Sequence, residues 1–122
     1  MNEEIKIKSF KDLKVWQKGH IFVIDIYKAT EKFPGNEVFG LTSQLRRAAV
    51  SITSNIAEGF SRRSPREKSQ FYFTALASLT ELQNQILIAK DINYISLDLY
   101  QDLDNRSVEI GKMINGLLKV FK

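Results

Sequence analysis

Apolar side chains recur along this chain at the spacing of α-helices. At about 100° per residue, four stripes can be drawn. Leu13, Trp16, His20, Val23, Ile24 and Tyr27 form the first, and Leu41, Leu45, Ala48, Ile52 and Ile56 the second. Phe71, Ala75, Leu79, Leu82, Ile86 and Ala89 form the third; Leu99, Leu103, Ile110, Met113, Ile114, Leu117 and Phe121 form the fourth. Turn and capping chemistry separates them. Ser9-Phe10-Lys11-Asp12 reads as a capping box with Asp in place of Glu, and Phe33-Pro34-Gly35-Asn36 stops the first stripe. Ser64-Pro65-Arg66-Glu67 places Ser at the N-cap, Pro at the first helical position and Glu at the third. Ser96 caps the last stripe, with Asp98 near the positive end of its dipole. Asn115-Gly116 is a turn signal, yet the stripe keeps its spacing across it, so the helix is expected to continue. The pattern predicts helices over about 11–32, 40–60, 65–91 and 97–121 in one domain, 1–122. Short connections make consecutive helices antiparallel, and the expected fold is all-α, an up-down-up-down four-helix bundle.

A second apolar surface lies behind these stripes. Val15, Phe22, Ile26, Ala29 and Phe33 fall together opposite the first, and Phe73, Leu76, Ala77, Leu87 and Ile88 lie on the far side of the third. Broad core stripes with scattered exposed residues would account for some of this. A contiguous patch holding Phe22, Ile26, Phe73 and Leu87 points instead to an interface, and self-association is expected.

Beside the core stripe of the second helix runs a polar ladder of Gln44, Arg47, Ser51, Asn55 and Glu58. Thr74, Ser78, Glu81 and Gln85 form its counterpart on the third. Antiparallel packing brings the two together, and the expectation is a buried polar network, Gln44, Arg47, Ser51, Asn55, Glu58, Ser78 and Glu81, that fixes helix register. An active site built on Glu58 and Glu81 is the weaker reading, because no nucleophile, oxyanion hole or glycine-rich phosphate loop accompanies them. A di-iron bundle requires two Glu-x-x-His pairs, and the single histidine, His20, falls on the predicted core stripe. No catalytic residue, metal ligand or cofactor is therefore assigned.

Composition narrows the picture further. The 122 residues are 43% hydrophobic and 26% charged, with no cysteine, which suits a soluble domain in a reducing compartment. Met1 to Lys11 contain no apolar signal-type stretch, and no run approaches the roughly 20 apolar residues of a membrane span. A cytoplasmic, membrane-free protein is expected. The net charge of +4 is unevenly placed. Gln44 to Lys68 hold six basic and two acidic residues; Asp91 to Glu109 hold five acidic and one basic. The basic segment would face a polyanion or the acidic segment of a second copy. Its centre is Gly59-Phe60-Ser61-Arg62-Arg63-Ser64-Pro65-Arg66. Arg62 and Arg63 suit a helix C-terminus; Arg46, Arg62, Arg63 and Arg66 together also suit phosphate oxygens, with Phe60 placed to stack on a base.

Leu13-Lys14-Val15-Trp16-Gln17, Phe33-Pro34, Phe39-Gly40-Leu41, Gln44-Leu45-Arg46-Arg47-Ala48-Ala49, Ser51-Ile52, Ser54-Asn55-Ile56-Ala57-Glu58-Gly59 and Ser78 to Leu82 occur in that order. Together they resemble the four-helix bundle proteins encoded in 23S ribosomal RNA intervening sequences, from about Ser9 to the end of the chain. Gly19, Ala77 and Asn93 depart from the family pattern, which commonly has Ala, Gly and Gly there. The resemblance implies a ring-like homopentamer without a settled activity. A kinship with the accessory proteins of diversity-generating retroelements implies RNA or DNA as partner, and a protein partner is the alternative. The expected function is a non-enzymatic homo-oligomer that binds nucleic acid at the basic turn, or else a protein scaffold.

Overall fold

The computed structural model describes residues 6–121; residues 1–5 and 122 lie outside it. Among the described residues there are four α-helices and no strand: α1 Lys14–Thr30, α2 Leu41–Ser61, α3 Pro65–Asp91 and α4 Leu97–Lys119. Two short 3-10 turns, Phe10–Asp12 and Gly35–Glu37, precede α1 and α2. The Ser9 capping box forms, but it caps the first of these turns, so α1 starts at Lys14 instead of Lys11. Ser64 accepts a hydrogen bond from the Glu67 N–H, and Ser96 one from the Leu99 N–H, as their sequence signals require. α4 runs through Asn115-Gly116 unbroken and ends at Lys119, two residues short of the expected boundary.

Each helix packs on the next, and α4 also packs on α1. Particular pairs fix the register. A Cβ on Gly19 of α1 would lie 3.0 Å from the Thr53 methyl of α2. Thr30, at the end of α1, accepts from Arg46 near the start of α2. Ser51 and Ser78 join α2 to α3 at 2.7 Å, and the Gln83 amide donates to Ser107 of α4 at 3.0 Å. Arg106 of α4 forks between Asp25 of α1, at 2.8 Å, and Asp102.

The core takes most of its expected members from α2, α3 and α4, with Ile52, Ile56, Leu82, Ile86, Leu103 and Ile114 almost fully buried. On α3, however, Tyr72 and not Phe71 is buried, and Leu99, Met113, Leu117 and Phe121 are half-buried. Helix α1 corrects the sequence reading. Its buried face is Val15, Gly19, Phe22, Val23, Ile26 and Thr30, while His20, Ile24 and Tyr27 face solvent. Phe22 and Ile26 are each only 1% exposed, so they belong to the core and cannot form an oligomer interface. Both faces of α1 are apolar, and periodicity alone does not choose between them. Small side chains do: Gly19 allows α2 to approach closely on the Phe22 side. Trp16 then stacks on His20 at the surface, with ring centroids 4.8 Å apart.

The connection into α4 is held by Tyr94. Its ring packs against Phe33 at 5.1 Å, and its hydroxyl donates to the Glu37 carboxylate at 2.8 Å. Glu37 also accepts the Leu41 N–H at the start of α2. A Cβ at Gly40 would lie 2.5 Å from that carboxylate, so a larger residue there would require the Glu37 side chain to shift. Asn93 adopts φ 66°, a left-handed conformation that Asn tolerates better than most side chains, just before Tyr94.

Candidate nucleic-acid interface

Only three residues, Arg62 to Ser64, separate α2 from α3. Each helix end at this turn is satisfied locally. The Ser61 hydroxyl donates to the Glu58 carbonyl at 2.7 Å, and the Arg62 N–H to the Gly59 carbonyl at 3.3 Å. From the first turns of α3, Lys68 reaches back and donates to the Gly59 and Phe60 carbonyls at 3.2 and 2.7 Å. Its ammonium also lies 5.4 Å from the Phe60 ring centroid. A cation at the negative end of the α2 dipole is electrostatically favoured there. Phe60 thus holds a lysine of its own chain, where the sequence suggested a platform for a base.

Arg62, Arg63 and Arg66 are exposed, and among the described residues none of them forms an ion pair. Arg62 lies over the Phe71 ring at 4.6 Å, which restrains its direction while leaving its edge in water. The fourth arginine assigned to this surface belongs elsewhere. Arg46 lies near the start of α2, sixteen residues before Arg62, roughly 24 Å away at the helical rise. It donates to the Thr30 hydroxyl at 2.8 Å and to the Tyr27 carbonyl at 3.3 Å, and covers the Tyr27 ring. Arg46 closes the end of α1 and is not part of the turn. Its neighbour Arg47 is exposed, but on the α2–α3 cleft.

That cleft holds the polar ladder. Gln44, Arg47, Ala48, Ser51, Ser78 and Glu81 line an open depression of about 300 Å³. Ser51 bonds to Ser78, and the Asn55 amide donates to the Ser51 carbonyl and hydroxyl at 2.8 and 3.0 Å. The ladder is therefore real but not buried. Gln44, Arg47, Glu58 and Glu81 are exposed, Ser51 and Asn55 half-buried, and only Ser78 of the seven is buried. The two helices meet through small residues, Ala48, Ala75 and Gly59, which seal the seam and leave longer polar side chains along its rim. Gln85, outside the seven, is buried; its amide donates to Glu81 at 3.2 Å, and its oxygen has no partner among the described residues.

Two features escaped the sequence reading. Lys68 counted only as one more positive charge, although a lysine shortly after a three-residue turn is placed to reach the preceding carbonyls. The tip between α1 and α2 carries Phe39, 96% exposed, beside exposed Val38. Phe73, 60% exposed, and Leu87 do lie on the outer face of α3 as expected, next to exposed Ile88. No group of three or more metal-binding side chains occurs among the described residues. No described helix is long and apolar enough to cross a membrane.

Comparison with known proteins places this geometry. The family model described as 23S rRNA-intervening sequence protein matches residues 11–116. Among solved structures, the chain is similar to a protein of unknown function from the S23 ribosomal protein family of Bacteroides thetaiotaomicron VPI-5482. The two are 24% identical with a TM-score of 0.80, over 86% of this chain and 95% of that one. That likeness is one of fold. No curated protein matches the chain.

Proposed function

Starting from the fact that the chain belongs to the 23S rRNA-intervening sequence protein family, we propose that it is a non-enzymatic, cytoplasmic homo-oligomer that binds the phosphate backbone of RNA or DNA at the α2–α3 turn. The observation that carries this reading is the state of the cations between Gln44 and Lys68. Arg46 and Lys68 are committed to carbonyl and hydroxyl oxygens of the protein, whereas Arg62, Arg63 and Arg66 stand together, exposed and without an acidic partner among the described residues. Guanidinium groups so placed suit phosphate oxygens. The pairs Gly19–Thr53, Ser51–Ser78 and Gln83–Ser107 support an antiparallel up-down-up-down order, which sets this turn at one end of the bundle. In a ring of five, the number the family resemblance implies, that end would repeat its arginines on one rigid body and gain by effective concentration. The kinship with retroelement accessory proteins that the resemblance implies would point the same way.

Phosphate contacts carry little base information, so binding with slight sequence preference is expected. Replacing Arg62, Arg63 and Arg66 by Ala should weaken binding alike for unrelated sequences. Each lost contact should flatten the logarithmic salt slope by roughly 1. Filter binding of wild type and triple variant at two salt concentrations, with sedimentation run in parallel, tests this. If wild type retains no nucleic acid at low salt, the reading fails. A protein scaffold, which the exposed Phe39 tip favours, then takes its place.

A further inference from the structure

We propose that Lys68 is the positioning residue of the phosphate-binding turn: it holds the ends of α2 and α3 together so that Arg62, Arg63 and Arg66 are presented ready-made, and it does not touch phosphate itself. The inference rests on the phosphate reading above. An ammonium has three donors and no acceptor, and two of those of Lys68 are taken by the Gly59 and Phe60 carbonyls at 3.2 and 2.7 Å. The Phe60 ring flanks the same ammonium at 5.4 Å, and the residue is half-buried. This cation is thus hydrogen-bonded to the protein, whereas among the described residues none of the three arginines around it makes a side-chain hydrogen bond.

Its two acceptors are carbonyls in the last turn of α2, and Lys68 itself stands on α3 beyond the Ser64 cap. The contact therefore spans all of Arg62 to Ser64. It works alongside the Arg62 N–H to Gly59 carbonyl bond and the Glu67 N–H to Ser64 bond, which hold the two flanks separately. Of these, only Lys68 ties one flank to the other. A turn held in this way does not have to be ordered when the ligand arrives, and preorganisation of that kind raises affinity without adding a contact.

Positioning and direct contact differ in a measurable way. A residue that meets phosphate contributes to counterion release, and its loss flattens the salt slope; a residue that only orders the turn does not. The test uses the full chain with Lys68→Met and Lys68→Arg, a mixed-sequence RNA duplex, and two salt concentrations. Thermal melts establish that each variant is folded. Lys68→Met should weaken binding on the order of ten-fold at both salts, with the slope unchanged. Amide exchange at Arg62 should quicken in the same variant, and Lys68→Arg should restore both properties. A slope flatter by roughly 1 would make Lys68 a direct ligand and overturn the proposal. So would unchanged affinity with a lowered melting temperature, the mark of a purely structural residue. Absence of binding by wild type is a different result: it removes the phosphate reading first, and this inference with it.

Discussion

Single residues in this protein are often fixed by one close neighbour, and Tyr94 shows the chemical consequence. Its phenol is pushed above the ordinary value, first by the hydrogen bond to Glu37, then by burial, then by the Glu37 charge. Only the neutral hydroxyl can donate to that carboxylate; the phenolate would face it with like charge. The sign follows from linkage. A group whose folded-state pKa is raised contributes stability that is complete below its unfolded value, near 10, and is lost as pH rises through the folded value. Urea unfolding across the alkaline range should therefore show stability falling above about pH 10. Tyr94→Phe should lower stability at neutral pH and make that fall shallower. Tyr72, raised by burial alone, should keep part of the slope in the variant. A slope identical in both proteins would mean that the Tyr94–Glu37 bond does not form in solution.

At the scale of helices, most boundaries were legible in the sequence because capping is local chemistry. Ser64-Pro65 and Ser96 mark α3 and α4 within the residues that make the bonds. Where two signals overlapped the reading slipped: the Ser9 box closes a 3-10 turn, and α1 begins after it. The rotation of α1 was not legible, since Phe22 and Ile26 on one side and Ile24 and Tyr27 on the other are equally apolar. The choice rests on Gly19, whose missing side chain matters only once α2 is in place. The polar ladder was legible as a set but not as a depth. Glu58 and Gly59 make the difference measurable. Glu58 is exposed, so Glu58→Ala should change stability by no more than about 0.5 kcal/mol. A Cβ on Gly59 would fall 2.5 Å from the Tyr72 ring, so Gly59→Ala should cost roughly 1–3 kcal/mol. Thermal melts of the two variants check both values; a large loss at Glu58 would restore the buried network.

For the molecule as a whole, the surplus of apolar surface remains after its members are corrected. Ile24 and Tyr27 replace Phe22 and Ile26 on the outside, joining Phe39, Phe73, Leu87 and Ile88. They lie on separate elements, α1, the α1–α2 tip and α3, and a ring needs two different faces to meet on every copy. Sedimentation equilibrium should give a species several times the 14.0 kDa chain mass, and Phe73→Asp with Leu87→Asp should shift it toward the monomer. A wild-type monomer at micromolar concentration would end the self-association reading. The three-residue turn also has a consequence for how fast the protein folds. Ser51 and Ser78 close a span of 27 residues, whereas Lys18 and Glu109, which join α1 to α4, close one of 91. Loop-closure entropy makes the longer span dearer by about 1 kcal/mol. The α2–α3 pair should therefore form in the folding transition state, and the α1–α4 contact should close after it. In chevron kinetics Ala75→Gly should slow folding, while Ile110→Val, beside Lys18 and Ile21 at the α1–α4 seam, should mainly quicken unfolding. Equal effects of both on the folding limb would show that the four helices condense together.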